Sequence, residues 1–506
     1  MHVGVLVVGG SLTGLSAALF LGMHGVPCLV VERRDGILAH PRLRGLLPRA
    51  MELYRQAGVE DEIVSRCPVG APPTDLVSVH ARTLSEEHEP LTEPEDGGAD
   101  AEQVSPCGFV PIGQDELETV LAQQVRERGC DLRFGTRLTD LAQGRDGVMA
   151  RLRGPDGTEE TVEADYVIAA DGASSPVRRR LGIRSSGPGT LFHMVTMHIH
   201  ADLSPALRGR RIGMAYLGRP APGTTLGPLD STGTRWFFAT AVSSGSSGDI
   251  ASEDPAAWVR AATGLDALDV RLLEQVPGAG RIFTFPVGAR VADRYRVGRV
   301  FLAGDAAHLM PPTGSLGGLT GIMDAHDLAW KLAFVLRGSA GPALLDTYGA
   351  ERRPAAEQAM GQAYARALLR WRLPGHGGGC TLLPTSVLMY GAAVPEGAPG
   401  TRAPHLYVSE DASSPMSTLD LYGTGLVLLV GPEGDAWESA AHRAGQRLSV
   451  AVEVYHLDAD LAGPHGLTNG SALLVGPDGV VVWRCDGRRG DLDGTLERVL
   501  RDLLCR

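Results

Sequence analysis

The run Gly9-Gly10-Ser11-Leu12-Thr13-Gly14, with an acid further on at Glu32, has the residue types and order needed to hold a dinucleotide. Gly9 permits a tight turn and Gly14 permits close packing of a helix on a strand. A helix starting there presents free N–H groups and a positive dipole end to a pyrophosphate. Glu32 can accept hydrogen bonds from the ribose hydroxyls of an adenosine. Ser11 replaces the glycine that lets the backbone approach the phosphates; a serine is small and can itself donate. Arg33, Arg42 and Arg44 follow the acid, where guanidinium groups suit bidentate phosphate recognition. A solvated basic loop explains them equally well. Asp171-Gly172 and Gly304-Asp305 each put an aspartate and a glycine at the end of an apolar run. Ligands sit at such points in open α/β sheets, although Asp-Gly is also an ordinary turn.

Each of these groups needs an element to position it. Val3 to Val8 read as a buried parallel strand, and Leu15, Ala18 and Leu19 recur at helical spacing up to Gly25. Leu29 to Val31 form a second strand that ends at Glu32. A helix is expected from about Pro48 to Ala57. Another opens at Asp115, with Gln114 at its start and Leu117, Val120, Leu121 and Val125 on one face. Strands follow near 130–134, 147–153 and 161–169, the last running into Asp171. Residues 186–285 alternate apolar and polar in short runs, which predicts a mostly antiparallel sheet inserted into the first unit. A strand at 299–303 leads into Gly304-Asp305 and the loop Pro311-Pro312-Thr313-Gly314-Ser315-Leu316-Gly317-Gly318-Leu319. A long helix then runs to about Gly338. Beyond the linker GAAVPEGAPG, strand-like runs at 425–430, 449–455, 471–475 and 479–484 precede a closing amphipathic helix.

Composition narrows the class. The chain has 506 residues, 66 of them glycine, a net charge of -12 and an isoelectric point near 5.7. Among its 47 basic residues only Lys331 is lysine, a bias typical of GC-rich bacterial genomes. No basic cluster suggests nucleic-acid binding. No apolar run approaches the roughly 18 residues of a membrane span. The apolar start has no cationic segment and is broken by glycines, so it is not read as a signal peptide. The 7 cysteines include no CxxC, and a reduced, cytoplasmic protein is expected.

Taken together, the glycine turn with Glu32, the Asp171-Gly172 motif, and the Gly304-Asp305 motif with its Pro-Pro-Gly loop and DAHDLAWKL helix resemble the single-component FAD-dependent aromatic hydroxylases. PRLRGLLPRAMELYRQAG, LLDTYGAERRP and GTRAPH resemble the bacterial polyketide hydroxylases in particular. The resemblance implies an α/β fold. A Rossmann-like FAD-binding domain would comprise 1–75, 106–185 and 281–390. An inserted, mostly antiparallel substrate-binding sheet would comprise 76–105 and 186–280. A thioredoxin-like domain without CxxC would span 400–506. It implies FAD, NAD(P)H as transient reductant and O2 as co-substrate, with oxygen passing from a flavin C4a-hydroperoxide to a phenolic ring of a polycyclic polyketide. The site residues it implies are Gly9, Ser11, Leu12, Thr13 and Gly14 at the pyrophosphate, and Glu32 with Arg33 at the adenosine. Arg44, Gln114, Leu138, Asp171, Gly304 and Asp305 join them along the cofactor. Pro312, Gly314, Gly317, Gly318 and Leu319 would pass the flavin ring, and no side chain is an obligatory acid or base. Substrate-facing candidates are His193, Met214, Tyr216, Trp236, Phe238 and Pro311, for which ordinary sheet core is the competing reading. Relatives carry Gly-Gly after Pro-Pro-x; here Ser315 takes the second place, and Leu319 stands where many have asparagine. Baeyer–Villiger or epoxidising chemistry on a similar scaffold, and flavin binding without oxygenase activity, stay open. No nucleic-acid or membrane partner is implied, and monomer and homo-oligomer are equally compatible with the sequence.

Overall fold

Val5 to Val8 are buried and apolar without alternation, as expected for a strand covered on both faces. The computed structural model describes residues 1–37, 45–67, 77–91, 104–242, 254–275, 280–372, 382–392, 396–408, 416–487 and 490–506. Arg42 and Arg44 lie outside the described residues. The first sheet takes β1 (His2–Val8), β2 (Cys28–Val31), β5 (Asp131–Arg133), β6 (Arg137–Gln143), β7 (Val148–Arg153), β8 (Glu159–Ala169), β15 (Arg296–Val297) and β16 (Val300–Leu302). Its path is β15-β16-β8-β1-β2-β5, parallel from β16 to β5, with the β6–β7 hairpin antiparallel on β8. The helices that serve it are α1 (Leu12–Met23), α2 (Pro48–Gln56), α3 (Gln114–Glu127), α4 (Pro176–Arg180), α5 (Leu316–Leu336) and α6 (Leu344–Arg370). α1 is buried from Gly14 through Leu21, which suits a helix enclosed by the sheet, α3 and α5.

The second sheet takes β3 (Val77–Ala81), β4 (Glu89–Pro90), β9 (Ser185–His200), β10 (Ile212–Leu217), β11 (Thr224–Pro228), β12 (Arg235–Val242), β13 (Arg271–Leu273), β14 (Ile282–Ala292) and β17 (His308–Leu309). Every pairing in it is antiparallel except β10 with β3. The sequence boundary at 280 leaves Ile282–Ala292 with the cofactor unit, yet that strand pairs with β9 along nearly its whole length. One face of the sheet packs Val195, Met197, Ile199, Leu226, Trp236 and Phe238 on the helix Pro255–Thr263. The other face packs Phe192, Met194, Tyr216, Ala239 and Val287 on Ala367 and Trp371, at the end of α6.

The C-terminal unit has β18 (Leu426–Val430), β19 (Val452–His456), β20 (Ala472–Val475) and β21 (Val481–Cys485) in the order β19-β18-β20-β21. Only β18 and β19 run parallel. α7 (Asp435–Leu448) and α8 (Leu492–Leu503) cover one face and share a core with Trp330 and Phe334 of α5. Buried charges bolt the unit to α2. Arg49 donates to Glu52 at 2.8 Å and to the Asp478 carbonyl at 2.5 Å, and Arg402 reaches Glu52 at 3.4 Å. No disulfide occurs among the described residues, and no described helix is long and apolar enough to cross a membrane.

Two histidines in this packing make stability pH-dependent. His24, capping α1, and His326, on α5, are buried, and neither ring has a hydrogen-bond partner. Burial, then the Arg337 charge, pushes His24 down to about 4. Burial, then His24 and Arg49, pushes His326 well down. An unfolded histidine titrates near about 6.5, so below that pH the unfolded chain binds more protons than the folded one. The stability these rings contribute is present above about pH 6.5 and is lost as pH falls toward about 4. The thermal midpoint is expected to drop across this window, and His326→Phe to flatten the drop. A midpoint independent of pH over this window would contradict the assignment.

Candidate cofactor and substrate site

The glycine turn is enforced by backbone proximity. Gly9 has φ +113°, and a Cβ there would lie 2.2 Å from the Ala170 carbonyl oxygen. A Cβ on Gly14 would lie 1.8 Å from the Gly9 carbonyl oxygen. Ser11 is the N-cap of α1, but its hydroxyl turns away from the helix and donates to Glu118 at 2.5 Å. The Leu12 backbone N–H donates to the same Glu118 oxygen at 2.9 Å, while the Leu12 side chain enters the core. Thr13 sits against Gly304 and Gly321: a Cβ on either would fall 2.4 or 2.6 Å from its hydroxyl. It therefore locks α1 to the Gly304 turn and α5.

Glu32 stands at the end of β2, buried, accepting from the backbone N–H of Gly10 and of Arg34, each at 2.9 Å. Burial raises its pKa, but the Arg34 and Gly10 N–H groups and the Arg34 guanidinium at 3.0 Å outweigh that and hold it below the usual carboxylate range. The guanidinium on Glu32 thus belongs to Arg34; Arg33 is exposed. Gln114 opens α3 and donates to Ser11 at 3.2 Å and to Glu118 at 2.7 Å. Leu138 lies on β6 opposite Leu152, half-buried against the core.

Two loops meet beside this turn. Asp171 accepts from the Val177 N–H at 3.0 Å, and burial pushes its pKa up against that bond and one from Ser175. Gly172 has φ +84° in open space. Arg178, on α4, joins the loops by donating to the Ala306 carbonyl at 2.6 Å and the Ala173 carbonyl at 3.1 Å. Gly304–Ala306 is a single tight turn with the Asp305 side chain exposed. Beneath it, fully buried Asp324 accepts from the Gly304 N–H at 3.2 Å, from Arg352 at 2.9 Å and pairs with His308 at 2.8 Å. Burial alone would raise the Asp324 pKa; His308 and Arg352 more than reverse this and hold it low.

The Pro311–Leu319 loop ends in α5, whose first turn contains Gly317, Gly318 and Leu319. The N–H groups at the start of a helix have no earlier carbonyl to bond, so Gly317 and Gly318 offer free donors, while the Leu319 N–H donates to the Ser315 carbonyl at 3.4 Å. Pro311 is buried and Pro312 exposed; the Leu319 side chain is in the core. Thr313 fastens the loop to α6 by donating to the Ala363 carbonyl at 2.5 Å. A Cβ on Gly314 would lie 3.5 Å from Arg366 Cδ. Ser315 caps α5 with φ 56° and ψ 16°, the left-handed region that favours glycine. Ser315→Gly is expected to stabilise the protein by about 0.5 to 1 kcal/mol, the left-handed cost of a side chain less glycine's extra entropy. Denaturant titration checks this; a destabilised variant would show that the serine side chain holds the loop.

α6 carries the loop to the second sheet. Trp371 packs edge-on to Phe192 with centroids 5.2 Å apart and donates to Thr225 at 3.1 Å. Of the substrate candidates, Met214 and Tyr216 lie on this face, with Tyr216 accepting from Arg370 at 3.3 Å. Trp236 and Phe238 lie on the opposite face, and His193 shares that face with Val195 by strand alternation. The correction follows from parity: Phe237 and Ala239, not their neighbours, point toward α6. The arrangement offers an anion-binding helix start, an acid for sugar hydroxyls, free N–H donors beside a loop, and an apolar, aromatic-lined face. The close glycine contacts at the start of α1 and the acid at the end of β2 fit an extended dinucleotide such as FAD. Among the described residues no cluster suited to a metal ion occurs.

A family described as "FAD binding domain" matches residues 2–363, and one described as "Aromatic-ring hydroxylase, C-terminal" matches 396–505. An aklavinone 12-hydroxylase of Streptomyces purpurascens is 40% identical, covering 100% of this chain and 99% of that one. A tetracenomycin A2 monooxygenase-dioxygenase of Streptomyces glaucescens is 37% identical, covering 100% and 97%. The crystal structure of an aklavinone-11 hydroxylase with FAD and aklavinone superposes with a TM-score of 0.89 at 37% identity, covering 100% of this chain and 99% of that one.

Proposed function

We propose, from the premise that this chain belongs to the FAD-binding aromatic-ring hydroxylases, that it hydroxylates a polycyclic aromatic polyketide in antibiotic biosynthesis, using NAD(P)H and O2. The observation that carries the reading is that α6 holds the Pro311–Leu319 loop at one point and the aromatic face of the second sheet at another. FAD, once bound and reduced, supplies the oxygen-activating chemistry. The α1 start takes the pyrophosphate, Glu32 the adenosine ribose and Asp305 the ribityl chain. The N–H groups at the start of α5 would favour negative charge on a flavin ring held beside this loop. Met214, Phe237 and Phe285, partly exposed side chains of the face packed on α6, would offer a planar substrate an apolar seat. A phenolate substrate activates its own ring, so no side chain is assigned as acid or base. The strand order β19-β18-β20-β21 with two helices on one face supports a thioredoxin-like C-terminal unit. Without a CxxC, its role is to brace α2.

Purified, FAD-loaded protein tests the reading with aklavinone as probe. Aklavinone is expected to accelerate NAD(P)H oxidation, with one atom from 18O2 entering a ring hydroxyl. Oxygen entering a ring-expanded lactone or an epoxide would replace hydroxylation by the neighbouring chemistries. Bound FAD with no oxidation coupled to a panel of polycyclic phenols would leave a flavin-binding protein without oxygenase activity.

A further inference from the structure

A carboxyl group stands at the α1 start, where the pyrophosphate is placed above. Glu118 of α3 is fully buried. One of its oxygens takes all three donors: the Leu12 N–H at 2.9 Å, the Ser11 hydroxyl at 2.5 Å and the Gln114 amide at 2.7 Å. The other oxygen is buried with no partner. An ionised carboxylate accepts at both oxygens and donates at neither. It would also set a second negative charge against a pyrophosphate at one helix terminus, where burial magnifies the repulsion. With all three donors on one oxygen, the second oxygen is left buried and free to carry a proton that is still to be shared.

We propose that Glu118 carries a proton in the FAD complex and donates it in a hydrogen bond to a phosphate oxygen, so that FAD retention is coupled to the protonation of this residue. The inference rests on the pyrophosphate lying at α1. The groups around it are consistent with a neutral acid. Among the described residues, Arg34, after β2, is the cation that opposes protonation, and α2 presents only the Tyr54 phenol. α1 contains no charged residue, and α3 itself presents Gln114. Burial pushes the carboxyl up against the bonds from Gln114 and Ser11, the Arg34 charge and the Leu12 N–H.

The test is the FAD dissociation constant, read by flavin fluorescence between about pH 6 and 9, for wild type, Glu118→Gln, Glu118→Ala and Gly14→Ala. For wild type the constant is expected to rise with pH, approaching about tenfold per unit once the carboxyl ionises. Glu118→Gln, a neutral group of the same shape that still donates, should match wild type at low pH and stay flat. Glu118→Ala should bind more weakly than wild type at low pH and show no rise with pH. A wild-type constant independent of pH, the same rise in Glu118→Gln, or wild-type affinity in Glu118→Ala at low pH would each overturn the proposal. The wild-type profile is informative even if a variant misfolds. FAD held by Gly14→Ala as tightly as by wild type would instead overturn the placement of the pyrophosphate.

Discussion

Gly14→Ala is expected to leave the protein unable to retain FAD through dialysis. The added Cβ would meet the Gly9 carbonyl oxygen at 1.8 Å and its carbon at 2.9 Å. Both atoms are backbone, so no rotamer change can relieve the overlap. α1 must move off β1 by more than an ångström, and Ser11, Leu12 and the helix dipole move with it. Misplacement on that scale at a preorganised site costs on the order of a hundredfold. Gly36→Ala is the control: it lies in the loop after β2, and a Cβ there meets nothing within 4 Å. The measurement is flavin absorbance per protein after dialysis. Stoichiometric FAD in Gly14→Ala would sink the assignment of this turn.

The second large effect concerns Asp324. Its carboxylate is the shared acceptor for the Gly304 turn, the His308 ring and the Arg352 guanidinium, all buried. Asp324→Ala leaves Arg352 uncompensated and the Gly304 N–H unpaired. Removing one partner of a buried ion pair costs about 3 to 5 kcal/mol. Unfolding free energy is expected to fall by that amount, and FAD retention to weaken because the Gly304-Asp305 turn loses its floor. Arg353→Ala, one residue along from Arg352 and paired with Glu357 at the surface, should stay within about 0.5 kcal/mol of wild type. Denaturant titration of both variants decides the matter: equal stability would mean that the buried network does not hold the loop.

Some of this site can be read directly in the chain. Gly9, Gly14 and Glu32 fall within one β–α–β stretch, where the spacing is local and a side chain in the wrong place collides with backbone. The strand and helix positions of the cofactor unit follow from uninterrupted apolar runs and helical spacing for the same local reason. Other residues carry no such local mark because their partners are remote in sequence. Arg178 bonds Ala306 across 128 positions, and Glu118 bonds Leu12 across 106. A signal for Glu118 did exist: Gln114, Leu117, Glu118 and Leu121 share one helical face, and an acid on an apolar face calls for a partner.

The substrate sheet divides along the same line. Alternation in Arg235–Val242 marks two faces but cannot say which one packs on α6. Trp236 and Phe238 are aromatic and suit a substrate by type alone; the register with β9 turns them toward the helix Pro255–Thr263, while Phe192 and Met194 pack against Trp371 at the end of α6. Likewise the absence of CxxC excluded dithiol chemistry in the C-terminal unit, while its docking on α2 through Arg49, Glu52 and Arg402 became visible only in three dimensions. Order along the chain therefore determined the cofactor class, because a glycine turn and an acid on adjacent strands are constrained by backbone sterics within a short segment. Tertiary structure alone decided which faces, buried charges and distant loops converge on that cofactor, because those contacts depend on how whole elements pack and carry no fixed spacing in sequence.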